Sequence, residues 1–127
     1  MRYRIAKLED APAITELLGS TGYYGPVDAS ELDGVIVVAE TKHQQLCGCV
    51  WVMVCGRHAY VDYLTVRPGY SGRTAMRLMM MLEQVLRSLQ VKYVRGVVKS
   101  DNTAAIRIDE AMGAVFDHDY SLGYRRL

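Results

Sequence analysis

Apolar residues recur along this chain with two different periods, and the switches between them divide it into strands and helices. From Leu46 to Cys55 the sequence LCGCVWVMVC is apolar almost throughout. A run this short, bounded by polar turns, reads as a buried strand. The same reasoning predicts strands over Val35–Thr41 and Ala59–Val66, with HQQ and CGRH as the turns between them, so that the three form an antiparallel meander. Ala75, Leu78, Met79, Leu82, Val85, Leu86 and Leu89 recur instead at three and four residues. That is the spacing of one buried helix face, and it predicts a helix over Gly72–Leu89.

Capping and turn residues place the remaining elements. Arg2–Lys7 reads as a first strand. Asp10 offers an N-cap oxygen, Pro12 falls in a first turn where its missing N–H costs little, and Ile14, Leu17 and Leu18 form the stripe of a helix that Gly19 or Gly22 ends. In the turn-rich TGYYGPVDASELDG, Asp28 and Glu31 stand at near capping-box spacing and predict one helical turn at Ala29–Leu32. A strand at Lys92–Lys99, a helix capped near Asn102 and ended by Gly113, and a hairpin within VFDHDYSLGYRRL follow. A meander succeeded by alternating strands and helices predicts an α+β fold. It is a single domain over residues 1–127, with a mixed, mostly antiparallel sheet of about six to seven strands flanked by helices.

Composition narrows the function classes. A net charge of +1 over 127 residues gives no long-range pull toward nucleic acid or an anionic membrane. The longest apolar runs, such as VIVVA, are strand-sized and well short of the roughly 20 residues of a membrane helix. MRYRIAKLED lacks an apolar signal core. The expectation is a soluble, cytoplasmic protein without membrane or nucleic-acid partners. Cys47, Cys49 and Cys55 are odd in number, which suits reduced thiols better than a disulfide framework. Together with Trp51 and Met53 they alternate along one predicted strand, which puts all five on one face. His43 and His58 lie nearby, but Cys-x-Cys is not a zinc-finger spacing, so no metal is expected.

The candidate chemistry lies in VRPGYSGRTAMRLM, Val66 to Met79. A strand ending at Val66, a Pro68-Gly69 turn and a helix opening at Gly72 aim several N–H groups and the positive end of a helix dipole at one point. Such a place suits a phosphate, and Arg67 and Arg73 add cationic reach.

YVDYLTVRPGYSGRTAMRLMMMLEQ, followed by VVKSDNTAAIRIDEAMGAVF, resembles the GNAT superfamily of acyl-CoA-dependent N-acyltransferases, as a divergent small member. Leu64, Val66 and Pro68 match the hydrophobic-x-Val-x-Pro pattern that precedes the family's pyrophosphate loop; Asn102, Ala105, Ile108 and Gly113 match its second segment. The resemblance implies N-acetyl transfer from acetyl-CoA directly to an amine. It implies coenzyme A held by Leu64, Thr65, Val66, Ser71, Gly72, Arg73, Thr74, Ala75 and Asn102. Thr74 and Met76 depart from the usual glycine and small residue. If the loop is one residue shorter, Ala75 takes the small position and Leu78, Met79 and Leu82 fall into step with the family's helix. The tyrosine that often protonates the leaving thiolate is replaced by Asp109, and an ionised aspartate cannot donate. Tyr70 or Tyr120 is the substitute, with Tyr120 preferred, unless the thiolate leaves unaided. Asp62 is the candidate base, and an N–H near Leu64 to Val66 is the candidate donor to the thioester carbonyl. The acceptor is an unidentified amine, on a small molecule or a protein, and a homodimer is a further expected arrangement. A second reading keeps the scaffold and gives up the chemistry: a GNAT-fold binding protein, like small versions carried by bacteriophages, that engages a macromolecular partner.

Overall fold

The structure, a computed structural model of the chain, describes residues 1–20, 28–31, 33–70, 72–97, 103–113, 115–117 and 122–126. β1 (Arg2–Ile5) passes through a 3-10 turn (Leu8–Asp10) into α1 (Ala11–Ser20), and a second such turn (Ala29–Glu31) precedes β2 (Val35–Glu40), β3 (Leu46–Cys55) and β4 (His58–Val66). Then come α2 (Gly72–Ser88), β5 (Tyr93–Val97), α3 (Thr103–Ala111), β6 (Val115–Asp117) and β7 (Leu122–Arg126). All seven strands join one sheet in the order β1-β2-β3-β4-β5-β7-β6. Only β4 and β5 run parallel, and the other neighbours are antiparallel. This is the α+β arrangement that the sequence predicts. The closing hairpin is inserted so that β7, not β6, lies beside β5.

Side-chain alternation gives the sheet two apolar faces, each covered by a helix. Leu78, Leu82 and Leu86 of α2 are fully buried against Val37, Val50, Val52 and Ala59. On the other face Ile14, Leu17 and Leu18 of α1 pack on Val38, Leu46 and Cys49. Burial of each such side chain contributes roughly 1.5–3 kcal/mol, so the two clusters fix which way every residue of the meander points.

A bulge corrects the expectation that the three cysteines share a face. Ala39 pairs with Gly48 but Glu40 pairs with Leu46, leaving Cys47 as an extra residue on β3. The phase of alternation changes at such a point. Cys47 therefore packs with the cluster beneath α2 and Cys49 with the cluster beneath α1, while Cys55 is exposed. Thiols on opposite sides of a sheet cannot share a metal ion. Among the described residues no three His, Cys, Asp or Glu side chains are grouped as a metal site.

Asp10 also acts differently from the predicted N-cap. It ends the 3-10 turn, and its carboxylate accepts the Lys7 N–H at 2.7 Å and the Arg4 guanidinium at 2.7 and 2.9 Å. Arg4 reaches Glu40 on β2 as well, at 2.9 Å. The hydrogen bonds from Arg4 hold the Asp10 carboxyl below the usual carboxylate range. The pair ties the start of α1 to the edge of the sheet.

Candidate active site

Two irregularities coincide on β4. Its parallel pairing with β5 runs from His58↔Tyr93 to Val61↔Gly96 and ends there among the described residues, although β4 continues to Val66. At the same point Val52 pairs with Val61 while Val50 pairs with Leu64, so Trp51 alone faces both Asp62 and Tyr63. An extra residue on one strand bends it and increases its twist. Residues 62–66 thus extend beyond the last β5 partner, past a bend. Leu64 and Val66 pack beneath α2 and Thr65 is buried. Of these three predicted cofactor residues, Thr65 is buried while Leu64 and Val66 are half-buried.

The segment after β4 is built to expose backbone. The Tyr70 N–H bonds to the Arg67 carbonyl at 3.2 Å, and Gly69 has φ 93°, so Arg67-Pro68-Gly69-Tyr70 closes as a type II turn. A Cβ added at Gly69 or Gly72 would meet nothing within 4 Å, so both look onto open space. The helix that opens at Gly72 has 17 residues, and its first N–H groups have no partner within the helix. Thr74 and Ala75 turn into the core, each 5% exposed, and offer amides to the open side. Ala75, Leu78, Met79 and Leu82 are all buried, as the shorter-loop alignment requires.

The predicted site residues divide accordingly. Gly72, Arg73, Thr74 and Ala75 form the first turn of α2, directly beyond the strand that carries Leu64, Thr65 and Val66. Ser71, Asn102 and Tyr120 lie outside the described residues. Arg73 is exposed at the helix start. Arg67 is committed elsewhere, a correction to its predicted role. Its Nε–H donates to the Leu46 carbonyl at 2.9 Å, its own N–H to the Cys47 carbonyl at 2.7 Å, and its guanidinium lies 3.9 Å from Glu16. Arg67→Ala is accordingly expected to lower stability by about 1–2 kcal/mol in urea unfolding, through the lost side-chain bond and packing. Affinity for a phosphate-bearing ligand should stay within about twofold; a drop beyond tenfold would return Arg67 to the phosphate site.

Asp62 stands at the bulge. It is exposed and makes no ion pair among the described residues, yet partial burial of its carboxyl raises its pKa. Its neighbour Tyr63 stacks on Trp51, with ring centroids 5.3 Å apart at 27°. The Trp51 indole N–H is anchored on the Asp33 carbonyl at 2.6 Å. Sequence reasoning places Trp51 in the core and misses this stack, because the register that brings the rings together depends on the bulge.

Asp109 differs from its sequence reading. It is half-buried on α3, three residues before Met112, which packs against the cluster under α2. Its carboxyl has no hydrogen-bond or ion-pair partner among the described residues. Burial, with no charged neighbour contributing, pushes its pKa up to about 6. The group read as a permanently ionised aspartate therefore carries a proton for part of the time near neutral pH.

A sequence model of the acetyltransferase (GNAT) family matches residues 7–114. No curated protein sequence matches significantly. Among solved structures, the chain is similar to PaiA N-acetyltransferase from Thermoplasma acidophilum in complex with coenzyme A, at TM-score 0.82 and 15% identity over 100% of both chains. Ribosomal-protein-alanine N-acetyltransferase from Brucella melitensis gives TM-score 0.80 and 15% identity, again over 100% of both. A GNAT superfamily phosphinothricin acetyltransferase from Sinorhizobium meliloti in complex with acetyl-CoA gives 0.81 and 16%, over 99% of this chain and 88% of that one. At such identities the likeness is one of fold.

Proposed function

The chain belongs to the GNAT acetyltransferase family, and from that premise we propose that it transfers an acetyl group from acetyl-CoA directly to an amine. The observation that carries the proposal is the coincidence of three features. The end of β4–β5 pairing, the β4 bulge and the open N-terminus of α2 follow one another within residues 61–75. This backbone fits the extended pantetheine and pyrophosphate of coenzyme A, since Gly69 and Gly72 leave space beside it. The amides of Gly72, Arg73, Thr74 and Ala75 would hold the pyrophosphate, and the family resemblance adds Ser71 and Asn102, which lie outside the described residues. The β4 edge at Leu64 to Val66 would hold the acyl arm, and one of its N–H groups would polarise the carbonyl.

Acetyl-CoA supplies an activated thioester. The protein has to deliver a neutral amine to it and manage two protons. One face of β4 is closed, because Val61, Leu64 and Val66 pack beneath α2. The amine therefore arrives on the other face, where Asp62 stands. Asp62 takes the ammonium proton, directly or through water; the freed nitrogen forms the C–N bond as the C–S bond breaks, and its second proton passes to solvent. The departing sulfur then accepts a proton. Asp109, protonated in part near neutral pH, is one candidate donor; Tyr70, Tyr120 and unaided departure of the thiolate are the others. A binding protein with a decayed site is the less favoured reading. Thr74, Met76 and Asp109 are the residues that favour it, and of these Thr74 is turned into the core and Asp109 is protonated in part near neutral pH.

Isothermal titration with acetyl-CoA is expected to give one site with micromolar affinity, about −8 kcal/mol. Absence of heat at millimolar ligand would end this reading.

A further inference from the structure

The uncovered part of the α1 face has a composition of its own. α1 packs on Val38, Leu46 and Cys49, toward the end of β4, and leaves the stretch nearer its beginning open. Met53 and Tyr60 are direct cross-strand partners and therefore share a face, with 44% and 41% of each exposed. Alternation from Met53 puts Trp51 on that face too, buried at its floor at 8% exposure, with the half-buried Tyr63 stacked on it at the α1 margin. Alternation from Tyr60 adds Asp62. The result is one carboxylate set among aromatic and thioether side chains, continuous with the bend in β4. Arg95, in register with Tyr60, bounds the surface on the β5 side and has interactions of its own.

We infer that this surface is the acceptor subsite, and that the acceptor is a primary amine carried on an aromatic or otherwise apolar body, with its ammonium at Asp62 and its body on Tyr60 and Met53. The inference rests on the acyltransfer reading above. Three physical reasons support it. A carboxylate that must receive an ammonium gains from ring faces beside it, because their quadrupoles attract the same cation. Tyr60 and Met53 supply apolar contact that would be wasted on a fully solvated acceptor such as an acidic amino acid. An anionic acceptor would also have to place its charge near Asp62, which is repulsive.

Trp51 is the only tryptophan of the sequence, so its emission reports on this surface without any need for turnover. Phenethylamine added to the free protein is expected to change that emission saturably, whereas glutamate is not. With acetyl-CoA present, kcat/KM for phenethylamine should exceed that for glutamate by at least about tenfold. Tyr60→Ala, at an exposed position, should weaken phenethylamine binding by about five- to tenfold while acetyl-CoA affinity is unchanged. Tyr60→Phe keeps the ring and should bind as the parent does. Asp62→Asn should weaken the amine and leave acetyl-CoA binding intact. The inference is overturned if glutamate, or the ring-free polycation spermidine, binds as well as phenethylamine, or if Tyr60→Ala binds it unchanged. Loss of acetyl-CoA binding in the parent protein would instead strike the acyltransfer reading, and calorimetry separates the two.

Discussion

Gly72→Glu is expected to weaken acetyl-CoA binding by more than a hundredfold, about 2.7 kcal/mol, while leaving the fold intact or slightly more stable. The two effects have opposite signs for one reason. Gly72 is the first residue of α2, where the helix dipole is positive. A glutamate there replaces the poorest non-proline helix former and complements the dipole, so the melting temperature should hold or rise. The same carboxylate occupies the open space beside Gly72, where nothing lies within 4 Å of an added Cβ. If the pyrophosphate sits against these amides, the side chain excludes it by volume and by like charge. Calorimetric titration of the variant, paired with a thermal melt, reads both. A folded variant that binds acetyl-CoA with parental affinity would show that the phosphates lie elsewhere. Gly72→Ala, which adds only a methyl group, should bind within about fivefold and so separates charge and bulk from the mere loss of glycine.

The meander was legible because each of its signals is local. Leu46–Cys55 is found with the predicted bounds, and β4 gains only His58 at its start. The stripe of α2 was legible for the same reason, since Leu78, Leu82 and Leu86 recur with the period of the helix itself. What escaped depends on pairing between distant segments. The Cys47 bulge exists because β2 and β3 have unequal residue counts between matched pairs, and neither strand alone reveals that. The second bulge sets Asp62 and Tyr63 against Trp51, and so creates the aromatic part of the site from residues that alternate plainly in sequence. Arg67 read as a phosphate ligand because it adjoins the loop; the carbonyls of Leu46 and Cys47 that engage it are some twenty positions away. Asp109 did carry a local signal. It lies three residues before Met112 and four after Ala105, on the side of the helix that spacing assigns to the interior.

Asp109→Asn is expected to stabilise the protein at pH 8 and to slow it. Burial raises the folded-state pKa of Asp109 from 3.8 to about 6, so the folded chain holds this proton more tightly than the unfolded chain does. Between those two values the folded state binds more protons, and stability falls as pH rises. The full linkage value of such a shift is about 3 kcal/mol. Asp109 keeps contact with solvent, which reduces the expected penalty above pH 6 to about 1–2 kcal/mol. Asparagine has no charge to lose. The variant should therefore melt roughly 3–8 °C above the parent at pH 8, and within about a degree of it below pH 4. Burial alone raises the Asp109 pKa, with no charged group contributing to the shift. A melting difference that stays constant with pH would place its origin in packing and not in the proton. With no partner among the described residues to relieve this cost, Asp109 is a candidate for proton transfer. If Asp109 protonates the leaving sulfur, kcat of Asp109→Asn should drop by about tenfold to a hundredfold with acetyl-CoA affinity unchanged. Asp109→Leu would share the stability gain and the loss of rate. A variant that is stabilised and retains full kcat would remove Asp109 from the chemistry and leave Tyr70, Tyr120, or unaided departure of the thiolate, to complete it.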